Sequence, residues 1–220
     1  IGGSAPNCSG NPLYSSGYSF TAILTNFGTG TATSIHNNNI QNLNLTGANF
    51  TGISVTAGLV NVGTAAGNTI GDLSDVTKYL TVGGTGTSYG IFANSSSAAV
   101  VSIGNTTVGN TIANITASNT GTTVSLVGVA TAGTSVINVL SNTIQNLYTP
   151  STATGATYSL VGIRALATGV GQTISQNNIN TLFNTTAGAT AVLVTGRLYN
   201  GPTGTTNLIS RNNIHTLYTN

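Results

Sequence analysis

One phrase, Asn-x-Ile-x-x-Leu, limits the fold more than any other feature of the chain. It reads NNIQNL from Asn38 to Leu43, NTIGDL from Asn68 to Leu73, NTIANI from Asn110 to Ile115, NTIQNL from Asn142 to Leu147, NNINTL from Asn177 to Leu182 and NNIHTL from Asn212 to Leu217. The leading asparagines stand 30, 42, 32, 35 and 35 residues apart. A heptad or a propeller blade would not vary this way, whereas a stack of coils tolerates insertions.

Each unit carries a second apolar phrase after a Gly/Thr/Ala-rich spacer: TGISV at 51–55, YGIFA at 89–93, VSLVGVA at 124–130, YSLVGIRA at 158–165 and AVLVTGRL at 191–198. A third, weaker phrase precedes the next asparagine, as in TSIHN at 33–37, SVINVLSN at 135–142, QTISQN at 172–177 and TNLISRN at 206–212. All are short and rich in Ile, Val, Thr and Tyr, which is strand chemistry. Glycine and β-branched residues occur throughout and disfavour helix. The expected fold is all-β, a right-handed parallel β-helix of about six coils of roughly 30–42 residues with loops on one side. Residues 30–220 form the repeats, and residues 1–29 form an N-terminal cap or an imperfect first coil. The excess length of each unit is expected to leave as a loop after the sixth-position residue, as at 44–52, 148–157 and 183–190.

In such a stack a residue type recurring at one position becomes a ladder. Ile40, Ile70, Ile112, Ile144, Ile179 and Ile214 are expected to form one inward aliphatic column, and Leu43, Leu73, Ile115, Leu147, Leu182 and Leu217 another. Asn38, Asn68, Asn110, Asn142, Asn177 and Asn212 would sit at the turn before the strand. There an amide satisfies backbone groups and stacked neighbours together, and asparagine tolerates a left-handed corner. This series is read as structural rather than catalytic.

Chemistry elsewhere is sparse. Charged residues make up 3% of the chain, against about a quarter in an ordinary soluble domain. Solubility therefore rests on hydroxyls and amides. Lys78, Arg164, Arg197 and Arg211 are scattered, so no nucleic-acid footprint exists. Apolar runs are too short for a membrane span, and no membrane insertion is expected. Asp72, Asp75 and Lys78 form the one mixed-charge cluster, a candidate recognition loop whose competing reading is a solvated loop with a weak ion pair. Two acids with no supporting shell argue against glycosidase or lyase chemistry. His36 and His215 lie in different phases near opposite ends of the stack, and no metal-ligand spacing is present. No cofactor is expected. The lone Cys8 reads as a free or buried thiol, with a partner in a further segment as the alternative. Triplets of the N-x-S/T type, as at Asn44, Asn94 and Asn184, are no more frequent than chance, and give no argument for glycosylation. Starting at Ile1 without any Met, the chain reads as a processed protein or a piece of a longer one.

The N-T-I-x-N-L phrases, the Gly-Ile and Val-Gly-Ile strands and the Ala-Thr-Ser-Gly spacers resemble the very long secreted β-strand-repeat proteins of Bacteroidota, over roughly residues 30–220. Those resemble pectate-lyase-type or adhesin-type β-helices. The resemblance implies an extracellular or cell-surface, non-enzymatic structural or adhesive module. Its alternatives are a self-assembling subunit of an extracellular filament and a carbohydrate-binding or carbohydrate-active β-helix. Ice adsorption fits less well, because the threonines concentrate in variable spacers rather than at one phase. The expected partners are further copies joined end to end, other parts of a longer chain, or surface glycans.

Overall fold

A computed structural model describes residues 1–220 except 6, 7, 9, 16, 18, 74–79, 155–157, 188–191 and 203–205. Among the described residues there are 21 strands, numbered β1 to β21 in chain order, which pair in parallel and form three sheets. Sheet I carries the asparagine phrase: β1 (Leu13–Ser15), β4 (Asn39–Ile40), β5 (Leu43–Leu45), β8 (Thr69–Ile70), β9 (Leu80–Val82), β12 (Thr111–Ala117), β15 (Thr143–Thr149), β18 (Asn178–Asn184) and β21 (Asn213–Thr219). Sheet II carries the second phrase: β2 (Phe20–Asn26), β6 (Phe50–Ala57), β10 (Thr87–Asn94), β13 (Ser125–Ala132), β16 (Leu160–Ala165) and β19 (Val194–Tyr199). Sheet III carries the third: β3 (Thr33–Ile35), β7 (Val60–Val62), β11 (Val101–Ile103), β14 (Ile137–Leu140), β17 (Thr173–Ser175) and β20 (Leu208–Ser210). The chain passes from I to II to III and back, each strand pairing with its counterpart one unit on. That is a parallel β-helix, and the protein is a β-helix repeat protein.

Residues 1–29 contribute β1 and β2, paired with β5 and β6, so this segment already takes part in the coils. Two sheet III strands, β7 on VNV and β11 on VSI, lie outside the phrases singled out above. Each keeps the inward-outward-inward burial of its sheet, with Val60, Val62, Val101 and Ile103 fully buried.

Alternation along the strands sends Ile and Leu to one continuous interior. Ile40, Ile70, Ile112, Ile144 and Ile179 are fully buried and stand in register. Burying a side chain of this size contributes about 1.5–3 kcal/mol. Ile214, on the outermost strand, remains exposed. The second column needs a correction. Leu73 is 39% exposed, and Leu80 takes its place, in register with Leu43 on one side and Ile115 on the other. Leu147 and Leu182 continue that column buried, and it ends at the exposed Leu217.

The reason is where the longest unit places its extra residues. Its sheet I pairing breaks inside the phrase, between Ile70 at the end of β8 and Leu80 at the start of β9, both of which pair with β12. The signal is Gly71, which stands where the other copies have Gln, Ala, Asn or His. Its φ of 75° turns the chain out of the sheet, and a Cβ there would collide with the Ala113 carbonyl. Strand residues also extend into the expected loops. Leu45, Phe50 to Gly52, Tyr148, Thr149, Phe183 and Asn184 all belong to strands.

Candidate functional site

The asparagine series builds a ladder. Each Nδ2 donates to the Oδ1 of the next coil: Asn38 to Asn68 at 2.8 Å, Asn68 to Asn110 at 2.8 Å, Asn110 to Asn142 at 2.9 Å, Asn142 to Asn177 at 3.0 Å and Asn177 to Asn212 at 2.9 Å. The backbone N–H of each donor residue reaches the same oxygen, at 2.9–3.1 Å. The second amide proton turns back to a sheet III carbonyl of the previous coil: Asn68 to Ile35, Asn110 to Val62, Asn142 to Ile103, Asn177 to Val139 and Asn212 to Ile174. An interior asparagine thus uses both donors and both lone pairs, the whole capacity of an amide. Asn68, Asn110, Asn142 and Asn177 are buried.

None of these six adopts the left-handed backbone expected of them. That conformation falls on the residue before, at Asn37, Ser141, Gln176 and Arg211, and on the fifth phrase position, at Asn42, Asn114, Asn146, Thr181 and Thr216. The ladder residue itself stands immediately before the strand, with its side chain directed to the asparagine of the next coil.

Of the candidate recognition loop, Asp75 and Lys78 lie outside the described residues. Asp72 is partly buried, and its carbonyl accepts a hydrogen bond from Asn114 Nδ2. His36, in the connection between β3 and β4, and His215, on β21, are both exposed, and His215 Nδ1 faces Thr216 Oγ1 at 2.7 Å. Cys8 is buried and unbridged. Among the described residues no group of three or more His, Cys, Asp or Glu is placed to hold a metal. Among the described residues no helix is long and apolar enough to cross a membrane.

Two faces hold side chains that a ligand can use. The first is the outer face of sheet I across β15, β18 and β21. Register places Thr143, Asn178 and Asn213 in one column, Gln145, Asn180 and His215 in a second, and Tyr148, Phe183 and Tyr218 in a third. The aromatic column packs edge to face, with centroids 6.4 Å apart from Tyr148 to Phe183 and 5.7 Å from Phe183 to Tyr218. Asn213 donates to Asn178 at 3.1 Å, and Asn180 to Gln145 at 3.4 Å. An aromatic row thus runs beside rows of amides on one rigid sheet.

The second is the outer face of sheet II. Tyr89, Val127, Val161 and Thr195 form one column, and Phe92, Ala130, Arg164 and Leu198 the next. Val127, Ala130 and Val161 are a small buried cluster separate from the interior, with Tyr89, Phe92, Tyr158 and Leu198 packed on it. A groove of about 430 Å³ opens there.

Both faces escaped sequence reasoning, because they lie at outward positions whose residue type changes from coil to coil. The signal that was present is that Tyr148, Phe183 and Tyr218 each follow the sixth-position Leu. No protein-family model matches the chain, and no match to it was found among curated proteins or solved structures.

Proposed function

We propose that this β-helix is a non-catalytic structural and adhesive module, working outside the cell or on its surface, that binds glycans on the outer face of sheet I. The observation that carries the reading is the Tyr148–Phe183–Tyr218 column beside the Gln145–Asn180–His215 column. Sugars present an apolar C–H face that packs on aromatic rings and hydroxyls that pair with amides, and an array carried on paired strands meets both needs without ordering a loop. The low charge suits a surface whose recognition rests on hydroxyls and amides. The likeness to secreted Bacteroidota repeat proteins supports the extracellular setting. The test is binding to a panel of neutral oligosaccharides and to intact cells, with Tyr218→Ala and Asn180→Ala as variants. Tyr218 is 49% exposed, so its loss leaves the fold standing. The reading predicts binding that each variant weakens by about tenfold, the weight of one good contact. Absence of binding, or binding that ignores both variants, would contradict it.

A second reading, assembly of copies into an extracellular filament, is favoured by the strand pairing, which is parallel and coil on coil throughout the described residues. Sedimentation velocity over a concentration series separates it from the first: growth into longer species supports assembly, and a single unchanging species opposes self-association.

A further inference from the structure

The sheet II groove is a site of different character. Arg164 reaches from β16 over the small residues Val127 and Ala130 to β10, two coils away, where its Nη2 donates to the Tyr89 hydroxyl at 2.7 Å. Its guanidinium carbon stands 5.3 Å from the centre of the Tyr89 ring, which is itself stacked on Phe92 at 4.6 Å. The guanidinium is therefore held in one orientation before any ligand arrives. Its Nε is buried without a partner. Among the described residues no acidic side chain lines the groove around it.

Around this cation the groove is lined by Tyr158, Leu166, Leu198, Tyr199 and Asn200. Its size, about 430 Å³, falls in the range of small-molecule sites. An oriented, partly desolvated guanidinium selects a planar anion. A single arginine does not make a polyphosphate site, which needs several cations in a row. The Tyr158 ring and the leucines offer an apolar wall to a sugar ring, and the Asn200 amide offers partners to its hydroxyls.

We propose that the Arg164 groove binds a carboxylate-bearing sugar. This rests on the reading of the chain as a glycan-binding module, but on a separate face, so the two fail separately. The test is calorimetric titration of the intact protein with sialyllactose, its carboxyl methyl ester and lactose. The free acid is expected to bind at least about tenfold more tightly than the ester or lactose, the weight of one charge-assisted hydrogen bond. Arg164→Met keeps an apolar stem over Val127 and Ala130 while removing the charge, and is expected to abolish the preference for the acid. Asn200→Ala, at an exposed position outside the packed cluster, serves if that variant does not fold, and is expected to weaken binding of the acid. Equal binding of acid and ester, unchanged binding in Arg164→Met, or no binding of sialyllactose would each overturn the proposal. If neutral sugars still bind through Tyr218, the adhesive reading survives that result.

Discussion

An amide in the middle of the ladder serves three coils at once, which makes the asparagine the least replaceable polar residue in the repeat. Asn142 accepts from the Asn110 side chain and backbone and donates to Asn177, Ile103 and Leu140. Asn142→Ala removes these bonds and strands buried groups on both neighbours, so unfolding in denaturant should show a loss of about 3 kcal/mol or more. Asn142→Asp keeps the shape but sets a carboxylate against two carbonyls and the Asn177 oxygen, so it should cost more than alanine at neutral pH. If aspartate is tolerated better than alanine, the donor role is wrong. The fifth phrase position offers the opposite test. Thr181 and Thr216 are β-branched residues at φ 51° and 60°, a conformation that asparagine holds at Asn42, Asn114 and Asn146. Asn146 already donates to Asn114 Oδ1 at 3.0 Å, and Thr181→Asn would extend that second row. A gain of about 1 kcal/mol in the same assay is expected; a loss would show that the Thr181 hydroxyl, bonded to Asn180, matters more.

At the scale of the strand, sheet II is shaped by a glycine column. Gly52, Gly90, Gly128, Gly162 and Gly196 stack so that a Cβ on any of them would strike an isoleucine of the sheet I column. At Gly128 the collisions are with Ile144 Cγ2 at 2.6 Å and the Gly162 carbonyl at 2.7 Å. Gly128→Ala should therefore destabilise by about 1–3 kcal/mol, and Ile144→Val should not restore it, because the backbone contact remains. Gly171→Ala is a poor substitute, since its cost arises from a φ of 84° with open space around it. One inward column, Ile53, Ile91, Val129 and Ile163, passes to Arg197 in β19, whose Nη1 is buried without a partner. Arg197→Ile continues the aliphatic column and should raise the unfolding midpoint by the equivalent of about 1 kcal/mol. A fall would mean that the charge is paired in the folded state. These columns also show what the sequence makes legible. The inward isoleucines and leading asparagines repeat at fixed phase and could be read directly. The move from Leu73 to Leu80 could not, because an insertion inside a phrase leaves the motif intact while shifting the register. The left-handed corners fall beside the ladder asparagines, one residue before and four after, for a related reason: composition shows that a corner is near, and only the backbone shows which residue turns it.

For the whole molecule, an unbroken ladder and closed apolar columns fix the stack, while outward positions are free to vary. That division explains why the fold was legible and the binding faces were not: Tyr148, Phe183 and Tyr218 matter through register, and Arg164 matters because small residues lie between it and Tyr89. The central claim is that the repeated asparagines hold the coils together rather than face a ligand. Hydrogen exchange of the side-chain amides, followed by NMR, tests it most directly. The Nδ2 protons of Asn68, Asn110, Asn142 and Asn177 should persist in deuterated water long after those of the exposed Asn200 and Asn220 have gone. Exchange of all six at the same rate would mean that the ladder does not hold the stack.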